Sequence, residues 1–477
     1  MATTGILRAA NVVFYHPLDN FVESAVGQTW TGTAAFATGK IPLSSPLGVS
    51  GATGSSFSFG SIKTVSAVTN TTDTFTVAAS IDSTRALLWY RAAPSTMGLR
   101  VATVSGTDIT LGAETTVASL DTHGSYSLTK LTAAKFVASA ILGFGTVTNA
   151  VVATVSGTAV TVGAKTPVRS AVGGSTTWPG GSVVALTSST VLATWSFTNQ
   201  SSNAIAQAAI GTVSGSDITF GATKDLFTSA SVVFSDNVAV ALSSTTVVSA
   251  FMRAGPKNLV SVVITVSGSD ITVGSLNTVE TTNSQFFKFG ICALDSTRIA
   301  VSSADASGVG RVRVGSVSGT TISYGSSVGL IPDIGVGIAT QPHCYKLDTD
   351  KIIVCSRHAN TVSASVEVFT VSGLALTSQG NSLFDGLGGV GRDVTAAIMS
   401  TSKVVFGTGN TVGTTAAVGE LGLAAGLTAP TPAAYPSTIG DTRVVICFWA
   451  RNATAGTTSL DIERGYKATL DATSISL

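Results

Sequence analysis

Residues 101–117 read VATVSGTDITLGAETTV, and residues 152–168, 51 positions later, read VATVSGTAVTVGAKTPV. The Val-Ser-Gly tripeptide of this phrase occurs six times, each time before a short run in which apolar and polar residues alternate. Successive copies are 51, 58, 53, 51 and 54 residues apart, and their valines are Val104, Val155, Val213, Val266, Val317 and Val371. Self-similarity at such a period is typical of repeat architectures.

A second phrase recurs upstream of the first. It consists of an apolar strand, a small polar turn and another strand, and its seven copies are residues 77–90, 128–140, 183–195, 238–251, 290–303, 345–356 and 396–409. Each unit therefore has four alternating segments separated by turn residues, which is the signal of short β-strands joined as hairpins. Units of 40 to 50 residues with four strands match propeller blades. The sequence predicts an all-β fold built on a seven-bladed β-propeller of four-stranded blades.

The seventh copy indicates how the ring closes. Its third strand is recognisable at residues 416–422, but the residues that follow make a poor fourth strand. FSFGSIKTV at 57–65 resembles ITFGATKDL at 218–226, so we expect this early segment to supply the outer strand of the last blade. Interleaving the two ends would remove exposed strand edges. The alternative is six blades with an irregular cap.

The flanks of the propeller differ from it in composition, with more aromatic and charged residues and alternating runs such as TRVVICFWAR at 442–451. We expect both flanks to form one small β-sandwich-like module into which the propeller is inserted. The predicted boundaries are 1–55 and 439–477 for the module, 56–427 for the propeller, and 428–438 for a Pro-rich linker.

Composition restricts the partners. Only 11% of residues are charged and the net charge is +1, so no long-range field favours nucleic acid or an anionic membrane. The mean hydropathy is +0.45, but no run of about 18 apolar residues predicts a membrane-spanning helix. The start shows no secretory signal, and four cysteines do not make a disulfide framework. We therefore expect no nucleic-acid partner and no membrane insertion.

No catalytic motif stands out, so we predict no enzymatic activity, no cofactor and no metal site. The aspartates that recur in the repeat lie in turns, where we expect them to cap their own backbone: Asp82, Asp295, Asp348, Asp108, Asp217 and Asp270. Propeller sialidases carry a Ser-x-Asp-x-Gly-x-x-Trp turn, but GGSTTW at 173–178 lacks its aspartate. A carbohydrate-active enzyme is accordingly the least favoured function.

The segment HCYKLDTDKIIVCSRH at 343–358 is dense in reactive side chains. A two-residue turn at Thr349-Asp350 would place Cys344 opposite Cys355, which leaves a disulfide or a shared metal open. We favour two small apolar side chains packed between blades, because free cysteine is usually buried. The pair Asp348 and Asp350 lacks the further oxygen ligands of a calcium site.

Recognition is predicted on the variable loops. The second-to-third strand loops and the blade-to-blade connections vary in length and composition, and they share one face of a propeller. Loops on a rigid scaffold carry most binding residues. Aromatic side chains there can stack on sugar rings or anchor a protein, although they can equally fill space between blades. The candidate binding residues are Trp178, Tyr126, His123, Phe286 and Phe287.

The flanks carry a resemblance to a known family. Residues 12–41, with YHPLD, the Trp30-Thr31-Gly32 turn and FATGK, resemble the opening of laminin-G/concanavalin-like sandwich domains, and CFWARN at 447–452 is similar to their central strand. Such modules and Ser/Thr/Gly-rich β-repeats are frequent in bacteriophage tail fibres and other virion appendages. The resemblance implies a lectin-like virion appendage or fibre protein that attaches to a host.

The resemblance also implies partners and a location. We expect other virion proteins and a cell-surface glycan or protein receptor as partners, and a homo-oligomer, with trimers common in such fibres. A virion protein would be assembled in the host cytoplasm; otherwise we expect an extracellular location. The alternative function is a purely structural virion component, either a capsid decoration or a fibre connector.

Overall fold

The structure is a computed structural model in which the chain divides into two compact units, residues 55–422 and residues 1–54 with 423–477. In the first unit and at residue 423 it describes residues 55–67, 76–93, 96–118, 126–141, 148–168, 180–198, 203–230, 234–253, 258–280, 289–304, 309–330, 342–357, 364–384, 394–410 and 413–423. In the second unit it describes the backbone of the strands given below. Among the described residues, no helix could span a membrane.

Residues 55–422 form a seven-bladed β-propeller, as the repeats predict. Each blade is an antiparallel sheet that the chain crosses from the axis outward. The first strands are Thr76–Ser80, Tyr126–Thr132, Gly180–Ala185, Phe234–Ala241, Gly290–Ala293, His343–Asp348 and Val394–Ile398. The second strands are Arg85–Ala93, Lys135–Ile141, Thr190–Thr198, Thr246–Arg253, Arg298–Ala304, Lys351–Arg357 and Lys403–Asn410.

The outer half of each blade holds the repeated phrase. The third strands are Thr96–Ser105, Thr148–Ser156, Asn203–Ser214, Asn258–Ser267, Gly310–Ser318, Ala364–Ser372 and Gly413–Leu423. The outer strands of blades 1 to 6 are Asp108–Leu111, Ala159–Val162, Asp217–Phe220, Asp270–Val273, Thr321–Tyr324 and Ala375–Phe384. In blades 1 to 5 a second segment continues the outer strand: Thr115–Ala118, Thr166–Pro167, Lys224–Ala230, Asn277–Glu280 and Val328–Gly329.

The outer strand of blade 7 comes from the start of the propeller sequence. Ser55–Phe59 pairs with Gly413–Leu423, and Lys63–Ser66 continues along the same strand. The Gly60 N–H donates to the Val418 carbonyl at 2.8 Å. The predicted closure is confirmed, and the alternative of six blades with a cap is wrong.

The Val-Ser-Gly phrase makes the turn between the third and outer strands. In blade 1, Ser105 pairs with Asp108, which leaves Gly106 and Thr107 as a two-residue loop. Gly106 has a φ of 59°, and the equivalent glycines of blades 2 to 6 have φ between 58° and 61°. Glycine with positive φ at the first central position is what a tight hairpin of type II′ requires.

Apolar side chains fill the interfaces between blades. The core consists of seven clusters, one for each pair of neighbouring blades, including the pair formed by blades 7 and 1. Trp89 and Phe136 are fully buried between blades 1 and 2. Burying side chains of this size contributes ~1.5–3 kcal/mol each. Since every blade has two apolar faces, each depends on both neighbours.

The terminal unit is also built of strands. Thr4–Ala9 pairs with Val12–Pro17, and Val22–Glu23 pairs with Trp30–Thr31. A four-stranded sheet has the order Arg443–Ala450, Asp461–Leu470, Ser474–Ser476 and Thr33–Ala35. Both ends of the chain therefore contribute to one sheet. The predicted linker at 428–438 lies outside the described residues.

Candidate functional site

The strand order divides the propeller loops between two faces. The first-to-second and third-to-outer turns lie on one face, which we call the short-turn face. The second-to-third loops and the blade-to-blade connections lie on the other, the connection face. Since each first strand starts at the connection face, its first residue lies there. The connections at 119–125, 169–179, 231–233, 281–288, 331–341 and 385–393 lie outside the described residues.

Tyr126 is the one predicted binding residue that the structure describes. It is the first residue of its strand in blade 2 and pairs with Ala140. Its half-buried side chain packs against the core between blades 1 and 2. His123, Trp178, Phe286 and Phe287 lie outside the described residues.

Tyr126 lines a cavity of about 240 Å³ among the first strands of the blades, which we call the axial cavity. Its walls are Val77, residues 126–129, residues 181–184, residues 238 and 239, and His343. The walls come from blades 1, 2, 3, 4 and 6. Tyr126 and His343 begin their strands and so mark the end of the cavity at the connection face.

Hydroxyl groups hold the wall between blades 2 and 3. The Ser127 hydroxyl donates to the Val183 carbonyl at 3.1 Å and accepts from the Val183 N–H at 3.0 Å. The Thr129 hydroxyl accepts from the Ala185 N–H at 3.1 Å. Each such bond satisfies a backbone group that the barrel-like arrangement of first strands leaves unpaired, so the wall is fixed without ionised side chains.

His343 and Ser182 line the cavity but are not among the binding residues predicted from the sequence. His343 pairs with Cys355, and the carbonyl of the preceding Pro342 accepts a hydrogen bond from Ser302 at 2.8 Å. Aligning the repeats on the leucine that ends each first strand places Ser127, Ser182 and His343 at one position. That alignment was the available signal, because a propeller brings one repeat position together around the axis.

The short-turn face carries a different arrangement, in which a cation on one blade reaches the turn of the next. Asp82 accepts hydrogen bonds from the N–H and hydroxyl of Thr84, both at 2.9 Å, as the turn interpretation predicts. It also pairs with Arg85 at 2.7 Å, and Arg85 donates to the Gly157 carbonyl of blade 2 at 2.7 Å. Similar bonds join Lys135 to Gly215, Arg298 to Gly373, and Lys403 to Gly106.

The turn interpretation holds for some of the aspartates. Asp295 repeats the contacts of Asp82, and Asp348 accepts from the Thr349 N–H at 2.7 Å. Asp108, Asp217 and Asp270 are exposed and make no hydrogen bond with any described residue, so for them the capping prediction is wrong. Their turns already contain the glycine that favours the conformation.

Acid should weaken the blade-to-blade contacts. Burial opposes ionisation of Asp82 and Asp295, but their hydrogen bonds with the adjacent threonine and arginine prevail and lower both pKa values from 3.8 to about 2. A depressed folded-state pKa means that the stabilisation is present above about pH 4 and is lost as the pH falls towards 2.

We expect the double variant Asp82→Asn/Asp295→Asn to melt below the wild type at pH 7, since exposed pairs contribute ~0.2–1 kcal/mol each. The two melting temperatures should approach each other as the pH falls through about 2, because the wild-type carboxyls then become protonated as well. Asp217→Asn is the matched control and should match the wild type throughout. A difference that is unchanged between pH 7 and pH 2 would contradict the assignment.

The cysteines are packing residues. Cys292, Cys344 and Cys355 are free and buried, which confirms the favoured interpretation. Cys344 does not lie opposite Cys355, however: it pairs with Val354, because a bulge between Lys346 and Asp348 shifts the register. The extra residue of the bulge, Leu347, is buried between blades 6 and 7. Among the described residues, no group of His, Cys, Asp and Glu could hold a metal ion.

The buried thiols should be unreactive. Burial and the nearby Cys344 raise the pKa of the Cys355 thiol, and the hydrogen bond with Cys344, together with burial, raises that of Cys292. In a Cys447→Ser background, a thiol-specific chromogenic reagent should label no cysteine of the native protein and three in denaturant. Rapid labelling of the native protein, or fewer than three thiols after unfolding, would contradict this assignment.

Comparisons with known proteins show likeness in fold only. No protein-family model matches the chain, and no curated protein matches it. Among solved structures, the SapL1 lectin in complex with alpha methyl fucoside is 12% identical, with 65% of this chain and 96% of that chain covered and a TM-score of 0.40. AofleA from Arthrobotrys oligospora is 10% identical, with 68% and 89% covered and a TM-score of 0.42.

The Hadza microbial sialidase Hz136 is 9% identical to this chain, with 68% of this chain and 73% of that chain covered and a TM-score of 0.44. At such identities and TM-scores, these likenesses carry no argument about the ligand or the activity of this protein. The chain is an all-β protein with a seven-bladed, closed propeller.

Proposed function

We propose that this protein is a non-enzymatic recognition protein that binds a cell-surface glycan or protein through the connection face of its propeller. The observation that carries the proposal is the axial cavity, whose end at that face is marked by Tyr126 and His343. Ligand sites are usually concave and contain a few convergent polar groups.

The scaffold favours recognition by rigid walls. The cavity lies among the first strands, which pair on one side with second strands and bond to neighbouring blades through Ser127 and Thr129. A wall that is already ordered costs little conformational entropy when it binds. We expect further contacts from the blade-to-blade connections, whose sequences differ between blades.

The biological setting that we propose is a virion appendage or tail fibre that attaches to a host. Its basis is the resemblance of residues 12–41 and 447–452 to lectin-like modules of such proteins. In this setting the partners are other virion proteins and a host receptor, the assembly is a homo-oligomer, and assembly takes place in the host cytoplasm.

Binding to a broad glycan array and to intact candidate host cells tests the proposal. We expect saturable binding that Tyr126→Ala, alone or with Trp178→Ala, weakens at least about tenfold, as loss of an aromatic anchor does. Thr158→Ala, at an exposed turn on the short-turn face, is the control and should bind like the wild type. Absence of binding by the folded protein would contradict the proposal and favour the purely structural virion role.

A further inference from the structure

We infer that the axial cavity binds one uncharged sugar ring, the terminal residue of a neutral glycan. The inference rests on the proposed function and specifies its ligand. The juxtaposition that carries it is a pair of hydroxyl-bearing first strands, from blades 2 and 3, flanked by aliphatic side chains from blades 1 and 4, with no Asp, Glu, Lys or Arg among the described lining residues.

The size of the cavity favours a single ring. Its volume of about 240 Å³ lies below the ~300–1,000 Å³ of sites for drug-sized ligands. An oligosaccharide would therefore place one residue in the cavity and the rest outside, on the connection face. A protein side chain of similar volume would lack the several hydroxyl groups that the polar wall can bond.

The charge of the lining favours a neutral ligand. Among the described residues that line the cavity, none is an aspartate, glutamate, lysine or arginine. The nearest basic residue along the chain, Lys130, donates to the Ile81 carbonyl at 2.6 Å and so is already engaged between blades. An ion in contact with these described residues would lose water without gaining an opposite charge from them, which is costly.

The polar wall has hydrogen-bonding capacity left over. The Ser182 hydroxyl makes no hydrogen bond with any described residue. Thr129 accepts from the Ala185 N–H, which leaves its own hydroxyl proton available for a ligand. The two therefore offer at least one donor and one acceptor, and hydroxyl groups of a sugar can serve as partners for both.

Aliphatic side chains flank these hydroxyl groups and suit the other surface of a sugar. Val77, Val238 and Ala239 are half-buried and line the cavity from blades 1 and 4. A pyranose has C–H groups on its ring faces and hydroxyl groups at its rim, so it can bury the former against these side chains and bond with the latter. Tyr126 adds an aromatic side chain to the lining.

Titration of methyl glycosides, followed by saturation-transfer NMR and calorimetry, tests the inference. The panel contains neutral hexosides and deoxyhexosides, a cationic aminohexoside and an anionic hexuronide. We expect at least one neutral glycoside to bind saturably, and its charged counterparts to bind at least about tenfold more weakly. If no neutral glycoside binds, or a charged one binds best, the inference is overturned.

Two variants locate the site. Ser182→Ala should weaken binding about fivefold, as expected for one lost hydrogen bond, and Val238→Phe should abolish it by filling the cavity. If Val238→Phe is too unstable for a binding measurement, Val238→Leu, a smaller change, should give a partial loss of glycoside binding. Thr158→Ala is the control. Unchanged glycoside binding in Ser182→Ala and Val238→Phe would overturn the inference.

Binding by Val238→Phe and by Tyr126→Ala/Trp178→Ala distinguishes a failure of this inference from a failure of the proposed function. If folded Val238→Phe still binds cells while Tyr126→Ala/Trp178→Ala does not, the axial sugar site is wrong and recognition by the connection face stands. If the wild type binds neither cells nor any glycoside, the proposed function fails together with the inference.

Discussion

Replacing Gly163 with alanine is expected to destabilise the propeller by ~2–3 kcal/mol, the cost of forcing atoms into a closely packed site. Gly163 ends the outer strand phrase of blade 2, and a Cβ atom there would lie 1.8 Å from the Ser216 carbonyl oxygen in the turn of blade 3. The oxygen that the new Cβ atom would overlap belongs to the backbone, so the overlap can be removed only if the two blades separate. Urea unfolding followed by tryptophan fluorescence measures the loss.

The repeat supplies a matched control for this substitution. Gly221 occupies the same repeat position in blade 3, but a Cβ atom there would meet only the Ile210 carbonyl oxygen, at 3.7 Å. Gly221→Ala should therefore change the free energy of unfolding by no more than about 0.5 kcal/mol. Equal effects at the two positions would show that the close approach between blades is not what Gly163 provides.

Truncation of Phe57 to alanine should have a still larger effect, ~3–5 kcal/mol. Phe57 lies in the strand that closes the ring, where its buried ring packs edge-on against Phe406 with centroids 5.3 Å apart. Its N–H also bonds the Ser382 hydroxyl of blade 6 at 2.7 Å. Loss of the ring opens a cavity between blades 6 and 7, where the closing strand packs against residues that are more than 300 positions away in the sequence.

The control for Phe57 is Ile62→Ala in the same closing segment. Ile62 is exposed, so its truncation should cost no more than about 0.5 kcal/mol. Calorimetric melting of both variants makes the comparison. A Phe57→Ala protein as stable as Ile62→Ala would mean that residues 55–66 do not close the ring.

The blades can be predicted because the same turn residues and the same alternation of apolar and polar residues recur in the repeats. The Val-Ser-Gly phrase specifies a turn that only a residue with positive φ can make, and alternation specifies which side chains face the core. Ring closure can be predicted for the same reason, since residues 57–65 are a displaced copy of the outer strand phrase. Segments that share the repeated sequence phrase therefore form the same strand in their blades.

The contacts between blades are harder to predict from the sequence than the blades themselves. The bonds from Arg85, Lys135, Arg298 and Lys403 to turn carbonyls join positions that are 72, 80, 75 and 297 residues apart. No local pattern links such positions. The register of Cys344 was missed because one buried leucine adds a bulge, and a one-residue shift changes every pairing beyond it.

Only part of the candidate site can be predicted from the sequence. Tyr126 follows from the rule that variable loops and strand starts share one face, but the hydroxyl groups beside it do not look unusual in a chain this rich in serine and threonine. Their role comes from the ring, which turns Ser127 and Thr129 towards backbone groups of blade 3.

The most direct test of ligand recognition at the propeller axis is a crystal structure of the protein soaked with the glycoside that binds best in the titration. We expect difference density for one sugar ring beside Tyr126, with hydroxyl groups within hydrogen-bonding distance of Ser182 and Thr129. Density for the sugar only on the short-turn face, or only between outer strands, would contradict the account.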